Sequence, residues 1–81
     1  MSVVVRFFAF IRDEAGVDQC RLLLESGSCV QDARERLKAD FPRIAQWLDS
    51  CRPAVNLEYA GWDAMLHEGD ELCLIPPVSG G

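Results

Sequence analysis

The chain is short of histidine and of paired cysteines. His67 is its one histidine, and none of Cys20, Cys29, Cys51 and Cys73 stands two residues from another. That removes the usual zinc-site frameworks, so no metal centre is expected. Basic residues are also few. Eight Lys and Arg face thirteen Asp and Glu, a net charge of −5. Nucleic acid needs a basic patch to meet its phosphates and is therefore excluded as a partner, whereas a basic protein surface is not. No apolar run reaches the roughly 20 residues that span a bilayer, and the N-terminus shows no signal-peptide pattern. The expected setting is cytoplasmic, away from membranes, with the thiols reduced and packed. Repeats and low-complexity segments are lacking too. What remains is 81 residues, 49% hydrophobic and 26% charged, enough for one small globular domain that buries about 60–65% of its unfolded surface.

Val3 to Phe10 (VVVRFFAF) is β-branched and aromatic, which suits a buried strand. Asp13-Glu14-Ala15-Gly16 reads as a turn. Val17 to Glu25 alternates through Cys20, Leu22 and Leu24 and predicts a second strand, hairpin-paired with the first. Ser28 followed by Gln31 fits a capping box that opens the main helix. Val30, Ala33, Leu37 and Phe41 share one helical face, Asp32 and Arg36 are spaced to pair, and Pro42 stops the helix. Ile44, Trp47, Leu48 and Cys51 repeat as on a short second helix, where Trp47 is a core residue. Ala54 to Ala60 reads as a strand after Pro53, with a small strand near Trp62 to Leu66. Glu68-Gly69-Asp70 is a turn, with His67 exposed beside it. Leu72-Cys73-Leu74-Ile75 is the continuous apolar run of a central strand. This is an α+β pattern: a mixed sheet of four to five strands packed on one main helix plus a short helix.

The last six residues are Pro76-Pro77-Val78-Ser79-Gly80-Gly81. Two prolines fix φ, donate no N–H and favour an extended segment. Gly80 and Gly81 present no side-chain bulk. The expected division is a domain over 1–75 and a tail over 76–81, stiff at its root and narrow at its tip. Extended, the six residues reach roughly 20 Å, enough to thread a partner's channel. A terminal carboxylate with a pKa near 3.5 is ionised at neutral pH.

Phe7-Phe8-Ala9-Phe10-Ile11-Arg12-Asp13, Ala54-Val55-Asn56 and Glu68-Gly69-Asp70-Glu71, ahead of Pro-Pro-Val-Ser-Gly-Gly, resemble the small-subunit family of molybdopterin synthase. That family belongs to the ubiquitin-like β-grasp sulfur carriers. The likeness runs end to end, and its most specific part is the tail. Cys29 stands where threonine or serine is common, and Leu57-Glu58 where glycine often follows the asparagine. These departures touch a cap and a turn.

The resemblance implies a function. An ATP-using enzyme of the ubiquitin-activating type would adenylate the carboxylate of Gly81, and sulfur would replace the adenylate to leave a C-terminal thiocarboxylate. The large subunit of molybdopterin synthase, in an assembly of two small and two large subunits, would use that sulfur for the dithiolene of molybdopterin. The chain itself would hold no cofactor and would not be catalytic alone. Gly81 is then the reactive position, supported by Gly80. Within the same fold, a carrier for thiazole synthesis or a ubiquitin-like modifier shares the Gly-Gly end. A β-grasp interaction module with an idle tail is the alternative from another class.

A docking surface follows from parity and resemblance together. Arg6 marks the face of the first strand turned away from the helix, and Phe8 has the same parity. The resemblance places apolar partner contacts at Phe8, Tyr59 and Ile75, with Pro76, Pro77 and Val78 leading to the reactive end.

Overall fold

A computed structural model describes residues 1–77; Val78, Ser79, Gly80 and Gly81 lie outside them. Five strands form one sheet: β1 (Ser2–Phe7), β2 (Gln19–Leu23), β3 (Arg52–Val55), β4 (Glu58–Tyr59) and β5 (Glu71–Ile75). Their order across the sheet is β2-β1-β5-β3-β4. β1 runs parallel to β5, and every other pairing is antiparallel. This is the mixed sheet expected, in the β-grasp arrangement, with β5 at its centre.

Alternation in β1 sends Val3, Val5 and Phe7 inward. The register sets Val5 beside Leu72 and Phe7 beside Leu74, so the same face continues into β5. The main helix, α2 (Val30–Asp40), lays Val30, Ala33 and Leu37 against that face. All three are fully buried, as are Ile44 and Leu48 beyond the helix end. Burying a side chain of this kind contributes about 1.5–3 kcal/mol, so this layer holds the fold together.

Several local expectations are corrected. The first strand ends at Phe7, and Ala9–Ala15 forms a seven-residue helix, α1. Asp13 to Ala15 are therefore helical. Gly16, at φ 83°, closes the helix and returns its N–H to the Arg12 carbonyl, the usual left-handed stop. The two flanking strands pair as predicted, but across a helix and not a tight turn.

The box that opens α2 is displaced by one residue. Cys29 is the cap, and the Asp32 carboxylate accepts from the Cys29 N–H at 2.8 Å. With Asp32 so engaged, Arg36 pairs with Asp40 instead, at 3.2 Å. Phe41 leaves the helical face and meets Phe7 edge-on, centroids 5.4 Å apart. The short second helix is a 3₁₀ turn over Pro42–Ile44 running into α3 (Ala45–Leu48).

Residues 62–66 form no strand beyond a single bridge, Cys29 with Met65. Their carbonyls are used elsewhere. Trp62 and Ala64 accept from the N–H groups of Gln31 and Val30, at 2.8 and 2.9 Å. These are first-turn donors of α2 that have no partner within the helix.

The expected strand from Ala54 to Ala60 is a two-residue hairpin. Val55 pairs with Glu58 across Asn56 and Leu57, which both have positive φ, 51° and 70°. That is the backbone of a type I′ turn. Asn56 also ties the turn to β5. Its N–H donates to the Glu71 carbonyl, its Oδ1 accepts from the Glu71 N–H at 3.0 Å, and its Nδ2 donates to Asp70 at 2.9 Å. Asp70 accepts a further bond from the His67 N–H. The Asn56 bond foremost, then that from His67, holds the Asp70 carboxyl below its ordinary pKa. Two of the short motifs noted in the sequence thus meet in one polar knot.

A depressed carboxyl pKa gives stability that is fully present above the unfolded value, near 3.9, and is lost as pH falls through the lower folded value. Acid titration of unfolding should show Asp70→Asn losing less stability than the parent below that range. Asn56→Ala should cost about 1–2 kcal/mol in a urea titration, through the lost bonds and a left-handed alanine. An unchanged midpoint would remove the knot from the account.

Candidate functional site

The sheet face opposite α2 carries the side chains of the other parity. Arg6 lies beside Cys73, Cys73 beside Ala54, and Ala54 beside Tyr59. Arg52 and Ile75 form the next pair along. Phe8 stays extended, at φ −130° and ψ 157°, so the alternation of β1 carries one residue past the ladder and turns Phe8 to the same side as Arg6.

Ala9 then adopts φ 52° and starts α1, which brings Phe10 to the same region. Phe10 packs edge-on against Trp47, centroids 5.4 Å apart.

The result is an open hollow of about 710 Å³. Cys73 and Ala54 are buried in its lining, while Phe8, Phe10, Tyr59 and Leu57 stand exposed around them. Ile75, Pro76 and Pro77 complete it, so the chain leaves β5 along the hollow itself. The structure therefore gathers Phe8, Tyr59, Ile75, Pro76 and Pro77 in one place. Val78, Gly80 and Gly81 lie outside the described residues.

Charge sits at the edge. Arg6 donates to Glu71 at 2.9 Å, a half-exposed pair worth little to stability. The Arg52 guanidinium lies 4.2 Å over the Tyr59 ring, a cation–π contact.

The lining has little chemistry of its own. Cys73 is its one thiol, and burial, with the Glu71 carboxylate nearby, pushes its pKa up against the opposing pull of Arg6. Burial also raises Cys20, with Asp40 adding to it, and raises Cys51 to about 11. These thiols stay protonated at neutral pH, and a thiol is a poor nucleophile. Among its described residues the hollow thus offers apolar surface and a protonated thiol.

The profile of the ThiS family matches residues 5–81. The chain belongs to the ThiS family. Among its relatives is the molybdopterin synthase sulfur carrier subunit of Arabidopsis thaliana, 35% identical over 81 residues, covering 100% of this chain and 84% of that protein. Small archaeal modifier protein 1 of Haloferax volcanii superposes with a TM-score of 0.90 at 29% identity, covering both chains completely. A chain in the complex of subunits 1 and 2 of the molybdopterin-converting factor of Helicobacter pylori matches at a TM-score of 0.72 and 27% identity, again over the whole of both chains. The resemblance read from the sequence and the ubiquitin-like β-grasp fold it implied both hold.

For this ThiS-family chain, sequence reasoning missed Ala9, Phe10, Ala54, Leu57 and Cys73 as parts of the hollow. Gly16 as a helix stop was the available signal for α1, and with it for Phe10. Leu57 hid the hairpin, because the usual mark of such a turn is glycine after asparagine.

No helix among the described residues is long and apolar enough to cross a membrane.

Proposed function

We propose that this chain is the sulfur-carrying small subunit of a molybdopterin synthase, with Gly81 as the point of attachment. The observation that carries the reading is the hollow of Phe8, Tyr59 and Ile75 opening at the root of a Pro-Pro-Val-Ser-Gly-Gly tail. Family membership and the named relatives support the carrier role. The Helicobacter pylori complex supports a large subunit as the partner.

The chemistry is placed at the terminus. The Gly81 carboxylate attacks the α-phosphorus of ATP on an adenylating enzyme of the ubiquitin-activating type and expels pyrophosphate. A sulfur nucleophile then attacks the acyl carbon and expels AMP, leaving the thiocarboxylate. On the large subunit the thiocarboxylate sulfur bonds to the pterin precursor, and water then cleaves the acyl carbon–sulfur bond, which leaves the sulfur for the dithiolene of molybdopterin and returns the carrier as the carboxylate. Two sulfurs per dithiolene require two charged carriers in turn, which fits an assembly of two small and two large subunits. The carrier works in the cytoplasm, where ATP and thiols are at hand. Residues 1–75 form the docking body and 76–81 the transferring tail.

The hollow supplies binding energy remote from the reacting carbon. Phe8, Tyr59 and Ile75 seat the partner, and Pro76 and Pro77 limit the freedom lost when the tail enters it. Val78 continues that path, and Gly80 and Gly81 let it narrow.

A reconstituted assay with the adenylating enzyme, a sulfur source, the large subunit and the pterin precursor tests this reading. Molybdopterin should form only when the charged carrier is supplied. Replacing all four cysteines by Ser or Ala should leave a refolded carrier able to accept sulfur at its terminus. Loss of acceptance in the folded variant would require a cysteine relay.

A second reading rests on the Haloferax volcanii likeness. The same activated Gly81 could be joined to lysines, as in a ubiquitin-like modifier. Protein conjugates in place of molybdopterin would favour it.

A further inference from the structure

Among the described residues three non-glycine positions have positive φ: Ala9, Asn56 and Leu57. Asparagine tolerates the left-handed region, and alanine is small. Leu57 is the exception. It is a branched apolar residue at φ 70°, and it stands 83% exposed. The free chain therefore bears backbone strain there and gains almost no burial from the side chain. Nothing among the described residues accounts for that combination, since glycine or asparagine would make the same turn.

Leu57 does line the hollow, on the side of Tyr59. The four residues after Pro77 span at most roughly 14 Å. Any site that receives Gly81 must lie within that reach of the hollow, so the surface around the site closes over the rim on which Leu57 stands. We propose that Leu57 is a specificity contact for the large subunit of the synthase, seated in an apolar depression of that partner when the carrier docks. The proposal rests on the reading of the chain as a synthase small subunit. The large subunit is chosen as occupant because a relative of this fold is seen in complex with subunit 2 of its converting factor.

The test compares Leu57→Gly and Leu57→Asn with the parent. Thermal unfolding of the free chain is measured beside titration calorimetry against the purified large subunit, with Tyr59→Asp as control. Relief of the strain should raise Tm by about 2–5 °C in both Leu57 variants. Affinity for the large subunit should fall about tenfold or more, the size expected when one buried leucine side chain is lost. A structural role for Leu57 cannot produce opposite signs in the two readouts. The inference is overturned if Tm falls, if affinity stays within about twofold of the parent, or if the only interaction weakened is with the adenylating enzyme or a second copy of the chain. If Tyr59→Asp loses binding while both Leu57 variants keep it, this inference alone fails. If all three bind as the parent does, the docking reading fails with it.

Discussion

Deleting Gly81 is expected to abolish sulfur transfer and to leave the folded domain as stable as before. The two effects separate because the proposed reacting carbon lies beyond Leu74, the last core residue among those described. Among the described residues, 1–75 contain the whole sheet, the three α-helices and every buried apolar side chain of the core. Pro76 follows the last ladder pair, Arg52 with Ile75. Loss of one terminal residue should therefore change unfolding free energy by no more than about 0.5 kcal/mol.

The chemistry should respond far more strongly. The shortened chain ends on Gly80, which also carries a carboxylate, so the charge is preserved. What changes is its position, by one residue or roughly 3.3–3.6 Å. A reacting group misplaced by only 1 Å can lose about a hundredfold in rate. Turnover in the reconstituted synthase, measured beside a urea titration, checks both halves. Parental activity in the deletion variant would remove Gly81 from its assigned role.

The second large effect is expected at the hollow. Tyr59→Asp or Ile75→Asp should weaken binding to the large subunit and to the adenylating enzyme by at least about 2 kcal/mol, some thirtyfold, with the free protein still folded. Tyr59 is 64% exposed, so the isolated fold has little invested in its ring. Its value lies in contact area that a partner can cover, and such areas on small proteins usually mark an interaction site. An aspartate there would be buried without a partner or would hold water in the interface. In Tyr59→Asp, Arg52 also loses the ring it lies over. Calorimetry against each partner, with circular dichroism of the free variants, decides the matter. Folded variants that bind both partners at parental affinity would move the docking surface elsewhere.

Why some of this could be read from the sequence, and some not, follows from particular residues. The inward face of β1, the buried stripe of α2 and the apolar run of β5 were legible because each repeats with the period of its own element. Arg6 announced the outer face of β1 by the same alternation. The breaks were harder to see. Phe8, Ala9 and Phe10 look like more strand, because aromatic residues suit strands and nothing local marks the left-handed step at Ala9. Asp32 had two spacings open to it, towards Arg36 and back to the Cys29 N–H, and the orphan donor at the helix start won. Residues 62–66 alternate weakly, but their carbonyls are drawn to the first turn of α2.

The candidate site divides in the same way. Phe8, Tyr59 and Ile75 came from parity and resemblance, and the fold brings them together. Leu57 is placed there by a turn that its own identity concealed. Cys73 was taken as part of a buried strand, and it is buried, but on the outer side of the sheet within the hollow. Its raised pKa keeps the thiol protonated, so it contributes apolar surface and not chemistry.

The most direct measurement of the central claim is the intact mass of the purified chain after incubation with ATP, the adenylating enzyme and a sulfur source, followed by fragmentation to place the change. The account predicts a gain equal to exchange of one oxygen for one sulfur, confined to Gly81, dependent on ATP, and reversed when the large subunit and the pterin precursor are added. An unchanged mass under conditions that charge a known carrier, or sulfur found on a cysteine with Gly81 unmodified, would contradict it.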